Sequence, residues 1–296
     1  MSGERLRPGV HVVMATPFLP DEEVDEASVR TLIEFSARAD SDGLLILGVM
    51  GEADRLSDAE RERTIALTID HNAGRMQITV GVTAGSTVVA RARVVAAVRL
   101  GADAVMVAPP PGSSEGAALR EHFRRVGDGL RVPVVVQDHP PSSGVKLPAE
   151  FIARLFDELP PGSALKLEDP PTASKLRDVR SCAAGLPIFG GSGGLFLLQE
   201  LEAGADGVMT GVAAPETLVR IVREHRAGNI ATARRLFAAA LPLMLFESQP
   251  GLSTGLRKEI LRRRGAIQHA TVRQPAPTLS AETLRELEAV LAESRR

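Results

Sequence analysis

Eight times between Val10 and Arg226 the chain passes from a short continuous apolar run to a stretch with helical spacing, and this alternation restricts the fold more than any other feature. The runs begin V-H-V-V-M-A-T (Val10–Thr16), G-L-L-I-L-G (Gly43–Gly48) and Gln77–Thr83, and continue through Ala104–Ala108, Pro133–Gln137, Ala164–Glu168, Pro187–Gly190 and Gly207–Thr210. Most are apolar at successive rather than alternate positions, so both faces of each strand must be buried, as in a parallel sheet wrapped by helices. Helices are predicted between them, with Ser57-Asp58-Ala59-Glu60 as a capping box and Gly101 as a stop. Eight units in about 220 residues fit an α/β fold of the (β/α)8 TIM-barrel type better than an open doubly wound sheet. Barrel residues would span 1–228. Three further helices, Ile230–Phe246, Thr254–Gly265 and Ser280–Ser294, would form a C-terminal helical extension over 229–296.

Composition excludes several classes of function. A formal net charge of -2 over 296 residues and the lack of any long basic run argue against nucleic acid. No apolar stretch approaches the roughly 18 residues that a membrane helix needs, and the N-terminus has no signal-peptide core, so a cytoplasmic protein is expected. The single cysteine, Cys182, rules out an intrachain disulfide framework and reads as inert helix packing. There is no Tyr and no Trp, so a phenol cannot carry protons here. A-x-x-x-G-A-D-x-V-M at Ala97–Met106 reappears in altered form as E-A-G-A-D-G-V-M at Glu202–Met209, a weak similarity between two βα units.

Chemistry in such a barrel lies at the C-terminal ends of the strands. Strand two ends in Gly48-Val49-Met50-Gly51-Glu52, a turn whose amides can form an anion nest. Strand five ends in Gln137-Asp138-His139-Pro140-Pro141-Ser142, and strand seven in Gly190-Gly191-Ser192-Gly193-Gly194. Strand six carries Lys166 within G-S-A-L-K-L-E-D-P-P-T. Period-two alternation puts Lys166 and Glu168 on one face. Burial disfavours an ammonium, and a lysine so placed is either a simple ion-pair partner or an amine nucleophile for carbonyls.

The order and spacing of these strand-end motifs resemble the dihydrodipicolinate synthase/N-acetylneuraminate lyase family of class I, pyruvate-type aldolases. The resemblance covers essentially the whole chain, including T-P-F near the start. It implies that Lys166 forms a Schiff base with the keto carbon of a 2-oxo acid, without a cofactor or metal. It also implies that Gly48, Gly51 and Glu52 belong to the turn whose amides hold the substrate carboxylate, and that Gly191 and the Gly207-Val208-Met209 strand wall the pyruvyl group. A homo-oligomer, tetramer or dimer, is a further implication.

The departures from the family pattern bear on activity. Val49 and Met50 replace two threonines, Gln137 stands where the family has its proton-shuttling Tyr, Pro110 and Pro111 replace Tyr after strand four, and Ser142 replaces an Arg. An amide cannot take a proton near neutrality, so Glu168, then His139, are the candidate acid/base groups, Glu168 with a pKa raised by a dry pocket. Glu168 could instead merely pair with Lys166, and His139 be a loop residue held by its prolines. The expected activity is a class I lyase, aldolase or dehydratase, for pyruvate or a 2-keto-3-deoxy acid, without authentic dihydrodipicolinate synthase activity. Val49, Met50 and the prolines suggest a less polar second substrate than a sugar acid. The alternatives are a degenerate homologue that binds a 2-oxo acid without turnover, and an aldolase for a phosphorylated substrate held by the glycines after strands seven and eight.

Overall fold

The structure, a computed structural model, describes residues 5–293, so Ser294 of the last expected helix lies outside the described residues. Eight parallel strands close into a barrel in sequence order. They are β1 (Gly9–Val13), β2 (Gly43–Ile46), β3 (Gln77–Gly81), β4 (Ala104–Val107), β5 (Val134–Asp138), β6 (Ala164–Leu167), β7 (Ile188–Gly190) and β8 (Gly207–Thr210). The helices are α1 (Glu26–Arg38), α2 (Asp58–Asn72), α3 (Thr87–Arg99), α4 (Ala117–Gly127), α5 (Pro140–Ser143), α6 (Ala149–Phe156), α7 (Thr172–Cys182), α8 (Leu197–Glu202) and α9 (Pro215–Arg226). Beyond the barrel come α10 (Ile230–Glu247), α11 (Ser253–Arg263) and α12 (Ala281–Glu293). Every residue of every strand is buried, as continuous apolar runs require.

Local sequence explains the helix starts. Ser57 and Glu60 form the reciprocal capping box at α2, and Asp25 accepts from the Ser28 amide at 3.0 Å to open α1. One short helix, α5, escapes periodicity because Pro140-Pro141-Ser142-Ser143 is too brief to show a pattern. Cys182 is exposed at the end of α7 and has no packing role.

The twice-occurring G-A-D motif has a structural reason at the bottom of the barrel. Asp103 accepts from the Ile78 amide at 2.7 Å while its own amide donates to the Ile78 carbonyl at 2.9 Å. Asp206 makes the same reciprocal pair with Ile188, at 2.9 and 2.7 Å, and Asp42 with Val10, at 2.8 and 2.9 Å. Each aspartate thus pins the entry of one strand to the loop before another. At the strand entries conservative geometry serves stability, leaving the opposite mouth free for chemistry.

The extension belongs to the same apolar core, through Phe237, Met244, Ile260, Leu261 and Leu287. It also fastens polar groups at the mouth. Lys258, fully buried on α11, lies 2.5 Å from Glu52 Oε1 and donates to the Thr271 carbonyl at 2.8 Å. Arg273 donates its amide to Glu52 Oε2 at 3.0 Å and its guanidinium to Glu60 at 2.6 Å and to the Glu22 carbonyl.

Candidate active site

Strand β6 sets the centre of the site. Lys166 pairs in register with Gln137 on β5 and Phe189 on β7, and its Nζ lies 3.1 Å from Glu168 Oε2 with both side chains buried. The same Glu168 oxygen accepts from Gln137 Nε2 at 2.8 Å, and Oε1 accepts from the Ser192 amide at 2.8 Å. Burial pushes the Glu168 carboxyl up, but Lys166, His139 and these two donors outweigh it and hold the pKa below the ordinary value. The raised pKa expected from a dry pocket is therefore corrected: the pocket is polar where it touches Glu168. The group is held as the carboxylate.

Gly191 leaves room for this carboxylate, since a Cβ there would stand 2.3 Å from Glu168 Oε1. His139 lines the same cavity, its Nδ1 2.7 Å from Ser142 Oγ. Burial lowers its pKa, with Glu168 opposing that shift and Lys166 adding to it. Neighbouring Asp138 faces away from this centre, toward Lys175 Nζ at 2.6 Å, an ion pair without good hydrogen-bond alignment. Burial raises Asp138 to about 6 even so.

The Gly48–Glu52 turn forms the opposite wall. Leu47 enters it with φ of 57°, a left-handed conformation rare for a branched apolar residue. Inside the turn the Gly51 amide bonds the Gly48 carbonyl at 3.1 Å and the Glu52 amide the Val49 carbonyl at 3.0 Å. Among the described residues the Val49 and Met50 amides have no such intrachain partner. They are the two donors available to an anion, while Gly51 and Glu52 shape the turn. The Glu52 carboxylate points to Lys258 and the Arg273 amide, and does not line the cavity.

Lys166, Glu168, His139, Gln137, Gly48, Val49 and Met50 therefore meet around one cavity of about 310 Å³. Ser142 lines a second cavity of about 450 Å³, which shares Gly48, Val49 and Gln137 with the first and runs along Thr83, Pro109 and Pro111. Met209 is packed into the core instead, and Thr210, the last residue of β8, and Gly211 after it supply the wall there. Beside Val13, Ser192, Gly193 and Leu195, one further part of the wall was missed in the sequence: Ser248, Ser253, Thr254 and Arg257, all from the extension. It makes the cavity more polar than Val49, Met50 and the prolines suggested. Among the described residues no cluster of three or more His, Cys, Asp or Glu is placed to hold a metal ion.

By fold and by the location of this cavity the protein is a (β/α)8 barrel with its candidate site at the C-terminal mouth of the strands. A family model described as "Dihydrodipicolinate synthetase family" matches residues 7–294, and the chain belongs to that family. It is 36% identical over 293 residues to L-2-keto-3-deoxyarabonate dehydratase of Azospirillum brasilense, covering 95% of this chain and 93% of the relative. It is 31% identical to 4-hydroxy-tetrahydrodipicolinate synthase of Thermomicrobium roseum, over 96% and 93% of the two chains. Among solved structures, dihydrodipicolinate synthase from Rhodopseudomonas palustris superposes with a TM-score of 0.92 at 34% identity, over 98% and 99% of the chains.

Proposed function

We propose that the protein is a Schiff-base lyase that dehydrates a 2-keto-3-deoxy sugar acid. The observation that carries the reading is the buried Lys166–Glu168 pair at 3.1 Å, in a cavity also lined by Val49 and Met50, whose amides have no intrachain partner among the described residues. The substrate carboxylate lies on the Val49 and Met50 amides. Glu168 takes the ammonium proton, Lys166 Nζ attacks the C2 carbonyl carbon, and water leaves to give the iminium. Glu168, after losing that proton to the departing oxygen, removes a proton from C3 to form the enamine. Its electrons expel the C4 hydroxyl, which leaves as water with the proton that Glu168 returns. Hydrolysis of the final iminium frees Lys166.

Dehydration is favoured over aldol cleavage by the catalytic groups present. Cleavage between C3 and C4 needs a base on the C4 hydroxyl, the part a phenol could play, and Gln137 cannot. Elimination needs only a C3 base and a returned proton, which Glu168 supplies. The similarity to a 2-keto-3-deoxy acid dehydratase supports the same choice.

The first experiment is intact mass after incubation with pyruvate and borohydride, beside Lys166→Ala. A pyruvyl adduct on the wild type alone is expected, and no adduct with pyruvate or longer 2-oxo acids would overturn the reading. Product analysis with a 2-keto-3-deoxy acid then separates water loss from cleavage. An adduct without any product would point instead to a binding homologue.

A further inference from the structure

Arg257 is the one cation from the extension that lines the Lys166 cavity among the described residues. Its side chain is only 11% exposed, yet its donors are poorly used. Nη2 donates to Ser248 Oγ at 2.9 Å, Nη1 reaches only the Met50 thioether at 4.0 Å, and Nε stands 3.5 Å from Glu247 Oε1 without a hydrogen bond. A buried guanidinium left in this condition is costly unless something else accepts from it. Burial also raises the Glu247 carboxyl to about 7, so the nearest counter-charge is partly lost near neutrality.

Glycine makes this position possible. A Cβ at Gly193 would stand 3.1 Å from Arg257 Nη2 and 2.5 Å from Ser248 Oγ, so the loop after β7 gives its side-chain space to a residue from α11. Ser253 and Thr254, one turn earlier on α11, bring two more hydroxyls to the same wall, neither with an intrachain hydrogen bond among the described residues. The wall thus offers guanidinium N–H donors and hydroxyls that both donate and accept, a set that complements vicinal hydroxyls.

We infer that Arg257, with Ser253 and Thr254, forms the subsite for the hydroxylated tail of the substrate, beyond the carbon attacked by Lys166. This rests on the lyase reading and deepens it: the substrate class becomes a 2-oxo-3-deoxy acid with a hydroxyl past C4, and the helical extension becomes the part of the chain that selects it. A site built to bond a hydroxyl rejects the analogue that lacks it, because its own buried donors are then left unpaired.

The test compares kcat/KM for a 4,5-dihydroxy-2-oxopentanoate with that for 4-hydroxy-2-oxopentanoate, which carries a methyl group in place of the tail hydroxymethyl. Wild type is expected to prefer the hydroxylated acid by about 30-fold or more, and Arg257→Met to reduce the preference to within about 3-fold. Ser253→Ala/Thr254→Val, which leaves the Glu247 partner in place, should reduce it in the same direction if Arg257→Met does not fold. Equal loss on both substrates, an unchanged ratio in either folded variant, or a wild-type preference for a tail carboxylate would overturn the assignment. Pyruvate trapping on the wild type distinguishes the two failures, since an enzyme that traps pyruvate but ignores the tail loses only this subsite.

Discussion

Glu52 and Lys258 are 206 positions apart and 2.5 Å apart, and their contact ties the turn after the second strand to the helical extension. Burial lowers Lys258 to about 8, with Glu52 opposing that shift. Breaking one partner leaves the other buried and less compensated, Glu52 keeping Arg55 and the Arg273 amide. Lys258→Met should cost about 3–5 kcal/mol in denaturant unfolding, whereas Glu52→Gln/Lys258→Met should recover a large part of that loss. In the double variant the half-saturating concentration for pyruvate trapping should still rise, because the turn keeps its contacts with Arg55, the Arg273 amide and Thr16 but loses its tie to α11. A double variant no more stable than the single one would show that Lys258 matters through packing alone.

Glu168→Gln keeps the shape of the carboxylate and loses its basicity. It should lower kcat by about 10²–10⁴-fold, while pyruvate at high concentration and pH still forms a trappable adduct on Lys166. Loss of trapping in step with turnover would assign Glu168 to holding the lysine rather than to moving protons.

Two adjacent glycines should separate activity from stability. At Gly191 an added Cβ meets Glu168 at 2.3 Å, while at Gly190 it meets Glu200 Oε2 at 1.8 Å. Gly191→Ala is expected to reduce kcat at least about tenfold by moving the base off its bonds to Ser192 and Gln137. Gly190→Ala should act on unfolding, with a cost of about 1–3 kcal/mol from overpacking. Equal effects of the two substitutions on kcat would contradict this division.

The Glu200 carboxyl faces Thr172 without a well-aligned hydrogen bond, and burial raises it to about 7. A carboxyl with a folded pKa above its unfolded one contributes stability below the unfolded value, and loses it as pH rises through the folded value. The window here runs from about 4.5 to about 7. Glu200→Gln should therefore flatten the decline in unfolding free energy across that window and raise stability at pH 8 by about 2–3 kcal/mol. A variant that follows the wild-type pH profile would mean that another group sets the slope.

Much of the barrel was legible because its physics is local. Two-face burial makes strands such as Ala104–Val107 continuous apolar runs, and Gly101 or the Ser57–Glu60 pair marks helix ends within a few residues. Lys166 and Glu168 were legible as neighbours because strand periodicity alone puts them on one face. The direction of the Glu168 pKa was not, since it depends on Lys166 together with His139, Ser192 and Gln137, which approach from β5 and from the loops after β5 and β7. Arg257 was invisible for a similar reason: within α11 it looks like any solvated helix charge, and the room for it beside Ser248 depends on the absent side chain at Gly193, on another element. Glu52 was read with the turn it ends, but its left-handed backbone, φ of 50°, aims the carboxylate outward to a lysine that no spacing rule connects to it.

Arg257 and Lys258 are consecutive, so on a helix their side chains diverge by about 100°. One faces the cavity and the other the underside of the Gly48–Glu52 turn. A graft of α11 from one relative into another would carry both contacts in a single segment, whereas a one-residue insertion within it would misplace both together. Specificity in this barrel is therefore inherited in the same stretch of chain as the brace of its floor, and a change of substrate by drift in α11 has to pass through sequences that keep the brace.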